Sequence, residues 1–129
     1  MTTADRPVVL IIEDNPLITM MVRDALTDAG IATVEASSIY EAVSLSECYY
    51  RFAAALLDVR VADSLIFPLA RTLIRGGIPC VFVTGYDRER MPAEFAHVPY
   101  VQKPFRINDL VSTVEGIIAA RRVPPAVAA

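Results

Sequence analysis

The chain is poor in the residues that mark several classes of protein. Of its 129 residues only two are cysteine, Cys48 and Cys80, and only one is histidine, His97. Cysteines so far apart, without Cys-x-x-Cys spacing, indicate reduced packing residues in a cytosolic protein rather than a disulfide or a metal pair. His97 is expected to lie in a loop. With no cluster of histidine and cysteine, the sequence offers no zinc site.

An excess of positive charge and long apolar runs are also missing. The 12 basic and 15 acidic side chains give a formal net charge of -3, so the composition provides no basic field for nucleic acid. The N-terminus has no apolar segment of the length that a signal peptide or a membrane span requires. We therefore expect a cytoplasmic protein without membrane contacts.

The length of the chain suits one domain. We place this domain at residues 7–122, after a short N-terminal extension, residues 1–6. A flexible tail, residues 123–129, is expected to follow because Pro124 and Pro125 stop the last helix near Arg122.

Short apolar runs alternate along the chain with amphipathic segments, which is typical of βα units around a parallel sheet. Asn15 and Pro16 suit the start of the first helix. Ser38 and Glu41 form a capping box for the second helix, which should end near Cys48. The apolar runs predict five strands, at residues 8–12, 31–36, 53–58, 78–83 and 98–102.

The second half of the chain predicts two regular helices and one that is short or irregular. The third helix is predicted from Ser64 to Arg75. Between residues 87 and 97 the pair Met91-Pro92 interrupts the pattern, so we expect a short or irregular fourth helix. The segment Arg88-Glu89-Arg90 is expected to be a solvated turn. The last helix places four apolar side chains on one face: Leu110, Val114, Ile117 and Ile118.

Polar side chains follow four of the strands. Glu13 and Asp14 end the first, Asp58 the third, Thr84 the fourth and Lys103 the fifth. Ligands of open α/β sheets bind beyond the carboxyl ends of the strands. With strands about 4.8 Å apart, order 3-2-1-4-5 would leave Asp58 on an edge strand, about 10 Å from Asp14. Order 2-1-3-4-5, with right-handed crossovers, brings all four polar ends together. We therefore predict a flavodoxin-like, doubly wound α/β fold with a five-stranded parallel sheet and about five helices.

Three carboxylates in one cleft repel each other, and one lysine cannot neutralise them. An unfilled site should therefore hold raised carboxylate pKa values. A cation is implied, and the all-oxygen ligand set suits Mg²⁺. Phosphate chemistry fits such a site, because a lysine and a threonine hydroxyl can hold further phosphoryl oxygens. In that chemistry Asp58 is the nucleophile that forms an acyl phosphate.

At these residues the chain resembles the receiver domain of bacterial two-component response regulators, over about residues 7–122. A further motif is similar to the Phe-Ala-Thr-Gly-Tyr motif of a stand-alone, single-domain subgroup: Phe82-Val83-Thr84-Gly85-Tyr86. The other segments fall in the family's order: the acidic pair Glu13-Asp14, the phospho-acceptor Asp58, the switch residues Thr84 and Tyr100, and the lysine motif Lys103-Pro104-Phe105.

The resemblance implies the family's reaction. A phosphohistidine on a sensor histidine kinase or a phosphotransfer protein would donate its phosphoryl group to Asp58, with Mg²⁺ required. Glu13, Asp14 and Asp58 would bind Mg²⁺ together with the backbone carbonyl of Arg60. Thr84 would hold a phosphoryl oxygen.

Lys103 would hold another phosphoryl oxygen, and the resemblance also implies a cis bond between Lys103 and Pro104. The phosphorylated protein would bind an unidentified downstream protein or act as a phosphate shuttle or sink. Arg60 and Tyr86 occupy the positions that tune hydrolysis in the family, and their bulk predicts slow autodephosphorylation. Residues 59–64 lack the family's usual Pro-Gly turn, so the entry to the third helix should differ in shape.

Three other functions compete with this interpretation. A degenerate receiver would act only as an interaction scaffold, independent of phosphorylation. A haloacid-dehalogenase-type phosphatase also forms an aspartyl phosphate, but it needs a second aspartate at the position of Arg60. A flavin carrier shares the sheet order, yet the loop after the first strand is acidic where a phosphate cradle should be rich in Gly, Ser or Thr.

Overall fold

The computed structural model describes residues 6–48 and 51–122. The predicted tail, residues 123–129, and all of the predicted extension except Arg6 lie outside the described residues. The strands are β1 (Val8–Ile12), β2 (Ala32–Ala36), β3 (Ala54–Leu57), β4 (Arg60–Val61), β5 (Ser64–Leu65), β6 (Cys80–Thr84) and β7 (Tyr100–Gln102). The α-helices are α1 (Pro16–Asp28), α2 (Ile39–Cys48), α3 (Phe67–Arg75) and α4 (Ile107–Arg122).

Five of the strands form one parallel sheet in the order β2-β1-β3-β6-β7. Counting only these strands, the order is 2-1-3-4-5, which confirms the predicted flavodoxin-like fold. Ile12, at the end of β1, pairs with Ala36 on one side and with Leu57 on the other. The winding direction reverses between β1 and β3, and in such sheets the crevice at this point is where ligands bind.

The central strands are apolar on both faces because helices cover both faces. Successive side chains of a strand point to opposite faces. Val9 and Ile11 therefore pack with α1 and α4, whereas Leu10 and Ile12 pack with α2 and α3. Within residues 6–48 and 51–122, no helix has the length and apolar character that crossing a membrane requires.

The first two helices begin where the sequence predicts. The Oδ1 atom of Asn15 accepts hydrogen bonds from the N–H groups of Leu17 and Ile18, and Pro16 opens α1. At α2 the Ser38 hydroxyl accepts from the Glu41 N–H at 3.0 Å. The Glu41 carboxylate accepts a hydrogen bond from the N–H of Ser37, which is one residue earlier than the donor in the usual capping box.

The predicted start of the third helix at Ser64 is wrong. β4 and β5 form a two-stranded antiparallel hairpin there, and α3 begins three residues later, at Phe67. Ala62 and Asp63, at the tip of this hairpin, have φ values of 47° and 67°. Positive φ at both central residues is the geometry of a type I′ turn. The hairpin is the altered entry to the third helix that the missing Pro-Gly turn predicts.

Two short 3-10 turns, Arg88–Arg90 and Ala93–Phe95, replace a fourth helix, as the sequence predicts. The second turn is tied to α3 because the Arg71 guanidinium donates to both carboxylate oxygens of Glu94, at 2.6 and 2.9 Å. His97 is exposed in the turn that follows, which confirms its predicted place in a loop.

Candidate functional site

Three polar side chains are buried in the described part of the chain, and all three stand at the carboxyl edge of the sheet. Glu13 follows β1 and is 5% exposed, Asp58 follows β3 and is 9% exposed, and Thr84 ends β6 and is 2% exposed. Burial of unneeded polar groups costs free energy. Their collection at one place therefore indicates a site rather than ordinary packing.

Lys103 joins two of these buried residues. Its Nζ atom lies 2.6 Å from the Oε1 atom of Glu13 and 2.9 Å from the Oδ2 atom of Asp58. The chain reaches this position because the backbone N–H of Lys103 donates to the carbonyl of Thr84 at 2.8 Å, which extends the pairing of β7 with β6. The bond between Lys103 and Pro104 is cis, as the family resemblance implies.

Burial and hydrogen bonding shift the pKa values of Lys103 and Glu13 in opposite directions. Burial of the ammonium would lower the pKa of Lys103, but its hydrogen bonds to Glu13 and Asp58 outweigh burial and raise the pKa. Burial also raises the pKa of Glu13, against the hydrogen bonds from Lys103 and from the N–H of Asn15, which lower it. The expectation of raised carboxylate pKa values is therefore met at Glu13.

Asp14 behaves differently from the expectation. Its side chain is exposed, and its Oδ2 atom accepts a hydrogen bond at 2.9 Å from the backbone N–H of Ala62 at the tip of the hairpin. This bond lowers the pKa of Asp14. The sequence gives no signal for this contact, because the turn that supplies it lacks the glycine and asparagine typical of type I′ turns.

Two tyrosines lie near Thr84: Tyr86 follows it by two residues, and Tyr100 begins the neighbouring strand β7. The Thr84 hydroxyl accepts a hydrogen bond from the N–H of Tyr86 at 3.2 Å. The hydroxyl of Tyr100 is buried and has no hydrogen-bond partner within the described residues. Burial, with a contribution from the Asp87 carboxylate, raises the pKa of Tyr100.

Arginines lie over both tyrosines. Arg88 lies 5.1 Å from the ring centroid of Tyr100, and Arg90 lies 5.3 Å from that of Tyr86. The predicted solvated turn at residues 88–90 is thus exposed but held by cation–π contacts. Arg60 is exposed on β4, one strand of the hairpin whose tip contacts Asp14.

The residues present fit a hard divalent cation. Glu13, Asp14 and Asp58 each offer a carboxylate oxygen, and these atoms lie within 4.8 Å of one another. A ligand set made only of oxygen, with few protein ligands, is what Mg²⁺ uses, since it keeps several waters. Cys80 is a free, buried thiol on β6 and is not part of this set.

No protein-family model and no curated protein matches the chain. Its fold is similar to SdrG from Sphingomonas melonis Fr1, at 30% identity and a TM-score of 0.75, over 92% of this chain and 99% of that one. It is also similar to a response regulator receiver protein from Sinorhizobium medicae WSM419, at 21% identity and a TM-score of 0.80, over 92% and 98%. A two-component response regulator from Clostridium difficile matches at 17% identity and a TM-score of 0.82, over 91% and 99%.

The strand order is that of the flavodoxin-like receiver fold, and solved structures that share this fold are described as CheY-like response-regulator receiver domains. The identity with SdrG extends over nearly the whole of both chains, so the chain and SdrG belong to one family.

Proposed function

We propose that the chain is a response-regulator receiver whose Asp58 accepts a phosphoryl group from a histidine kinase or a phosphotransfer protein. The observation that carries the proposal is the collection of buried Glu13, Asp58 and Thr84 at one strand edge, around Lys103. Apolar side chains could fill these positions without the cost of burying charge. A chemical role explains why they do not.

The chemistry is a transfer from nitrogen to oxygen. A carboxylate oxygen of Asp58 attacks the phosphorus of phosphohistidine, a P–O bond forms, and the P–N bond breaks so that its electron pair stays with the imidazole. Lys103 neutralises Asp58 before the transfer and a phosphoryl oxygen after it. The hydroxyl of Thr84, whose oxygen accepts from the N–H of Tyr86, donates its own hydrogen to another phosphoryl oxygen.

Glu13, Asp14, Asp58 and the backbone carbonyl of Arg60 are the groups that would hold Mg²⁺. Bound Mg²⁺ supplies positive charge to the phosphoryl oxygens. Support for the carbonyl of Arg60 comes from the hairpin. The N–H of Ile66 donates to the carbonyl of Val59. Hydrogen-bonded and non-bonded pairs alternate along antiparallel strands. Val59 and Ile66 form a hydrogen-bonded pair, so Arg60 and Leu65 form a non-bonded pair, and the carbonyl of Arg60 makes no hydrogen bond within the hairpin.

The effect of phosphorylation on partner proteins depends on the residues around Thr84. Thr84 and Tyr100 are the switch pair, and the phosphorylated protein either binds a downstream protein or passes the phosphoryl group on as a shuttle or sink. Arg60 and Tyr86 limit the access of water, so autodephosphorylation is slow. We place the protein in the cytoplasm, without nucleic-acid or membrane partners.

Metal binding is tested by thermal unfolding. Millimolar Mg²⁺ should raise the melting temperature of the wild type, because a ligand that binds only the folded state stabilises it. Asp14→Asn should respond less. Asp63→Asn is the matched control, because Asp63 is an exposed carboxylate beside the site but outside the ligand cluster, and it should respond like the wild type. Equal responses in all three proteins would remove the metal assignment.

Slow autodephosphorylation is tested by the half-life of the phosphorylated protein. Arg60→Ala and Tyr86→Ala should each shorten it, since each opens a path for water. An unchanged half-life in both variants would contradict the tuning roles.

The main competing function is a scaffold that binds partners without phosphorylation. Capture of partners by phosphorylated wild type and by Asp58→Ala discriminates between the two. The scaffold predicts the same partners on both proteins, whereas a response regulator predicts at least one partner on the phosphorylated protein alone. The phosphatase alternative requires an aspartate at the position of Arg60. Hydrolysis of added phosphomonoesters by the wild type would support that alternative.

A further inference from the structure

The tip of the β4–β5 hairpin contacts the acidic pair through its backbone. The N–H of Ala62 donates to the Oδ2 atom of Asp14 at 2.9 Å, although 48 residues separate the two. Asp14 is exposed, whereas Glu13 and Asp58 are buried and held by Lys103. Asp14 is thus the one carboxylate of the cluster that Lys103 does not hold, and the hairpin holds it instead.

The turn that supplies this N–H is conformationally unfavourable. Ala62 and Asp63 have φ values of 47° and 67°, in the left-handed region that disfavours residues with a Cβ atom. Asn-Gly would form the same type I′ turn without this strain. Strained backbone persists where the surrounding structure enforces it, and it concentrates at functional sites.

The hairpin is anchored on its inner side. Val59, Val61 and Ile66 are fully buried among the core residues that α2 and α3 cover. The N–H of Ile66 donates to the carbonyl of Val59 at 2.8 Å and closes the base of the hairpin. These buried residues and this hydrogen bond hold the strands that carry the N–H of Ala62 to Asp14.

We propose that the hairpin is a positioning device for the metal ligand Asp14, with Ala62 as the positioning residue. Its N–H keeps the Asp14 carboxylate in the conformation in which an oxygen lies within 4.8 Å of oxygens of Glu13 and Asp58. A ligand that is oriented before the cation arrives loses less freedom on binding, and hydrogen bonds to metal ligands commonly support affinity in this way. The inference rests on the proposed function, because it concerns the cation of the same site.

The test changes the length of the turn without changing either strand. Insertion of one glycine between Ala62 and Asp63 moves the N–H away from Asp14, and the Mg²⁺ dissociation constant, measured by calorimetry, should rise about ten-fold. Asp63→Gly is the matched control. It keeps the turn and the N–H of Ala62, so its dissociation constant should equal that of the wild type. In an Asp14→Ala background the insertion should have no further effect.

A second measurement needs no metal. Hydrogen exchange of the Ala62 amide should be slow in the wild type and fast in Asp14→Ala, while the Ile66 amide stays protected in both. Equal exchange of Ala62 with and without the Asp14 carboxylate would overturn the proposal, and it decides the matter if the insertion variant does not fold.

Failure of the positioning role and failure of the proposed function give different results. A folded insertion variant that binds Mg²⁺ as tightly as the wild type overturns the positioning role and leaves the proposed function intact. A wild type that binds no Mg²⁺ and accepts no phosphoryl group overturns the proposed function, and the positioning role with it.

Discussion

The ammonium of Lys103 lies 2.9 Å from the Oδ2 atom of Asp58, although 45 residues separate them in the chain. The same nitrogen lies 2.6 Å from Glu13. The sequence contains no other lysine. One ammonium therefore pairs with both buried carboxylates, and the electrostatics of the site can be tested by changing it.

Lys103→Gln should lower the free energy of unfolding by about 2 kcal/mol. Removal of one partner from a buried ion pair leaves the other charges uncompensated, and the loss is moderated here because the Lys103 side chain is 21% exposed and water screens it. Urea unfolding measures the change. Arg106→Gln, at an exposed cation three residues later, is the control, and an equal loss in both variants would contradict the role of Lys103.

Asp58→Asn should leave the free energy of unfolding unchanged or raise it in the absence of Mg²⁺. The variant removes one of three clustered carboxylates, and its amide oxygen can still accept from Lys103. With millimolar Mg²⁺ the order should reverse, because the wild type alone keeps the full ligand set. A clear loss of stability in Asp58→Asn without metal would show that repulsion does not govern the unfilled site.

Tyr100→Phe should be neutral or stabilising by up to about 1 kcal/mol, since it removes a buried hydroxyl that has no partner among the described residues. The ring should keep its contact with Arg88. Tyr100→Leu, which loses the ring as well, should be less stable than Tyr100→Phe. A marked loss in Tyr100→Phe would mean that water in the adjoining cavity of about 130 Å³ bonds the hydroxyl.

Cys80 should make stability depend on pH in alkaline solution. Burial raises the pKa of its thiol from 9.0 to about 12. Between these values the unfolded chain releases the thiol proton and the folded protein keeps it. The contribution of Cys80 is therefore intact below pH 9 and is lost as the pH rises, by up to about 1.4 kcal/mol per unit. The free-energy advantage of wild type over Cys80→Ala should shrink above pH 9. Parallel curves would contradict the raised pKa.

The fold and the main contacts of the site could be predicted because they depend on pattern. Buried strands appear in the sequence as apolar runs, and the residue that follows each run lies at the carboxyl end of its strand. Only one strand order brings Asp58 beside Asp14 and Lys103, so the order and these contacts follow together. Pro16 and the Ser38 capping box likewise fixed the helix starts, because capping is local chemistry.

The hairpin could not be predicted, because its turn, Ala62-Asp63, has neither the glycine nor the asparagine that most strongly mark type I′ turns. Ala62 and Asp63 adopt it under the constraint of buried neighbours, which the local sequence does not reveal. Pro68 did carry a signal for a later start of α3, since proline suits the first turn of a helix. The stacking of Arg88 and Arg90 on tyrosines depends on the geometry of a short 3-10 turn, which polarity alone does not specify.

The central claim is that Asp58 accepts a phosphoryl group, and intact-mass spectrometry tests it most directly. After incubation with acetyl phosphate and Mg²⁺, the wild type should gain the mass of one phosphoryl group, and Asp58→Ala, under the same conditions, should gain none. A wild type that stays unmodified, or an Asp58→Ala variant that gains the same mass, would contradict the account.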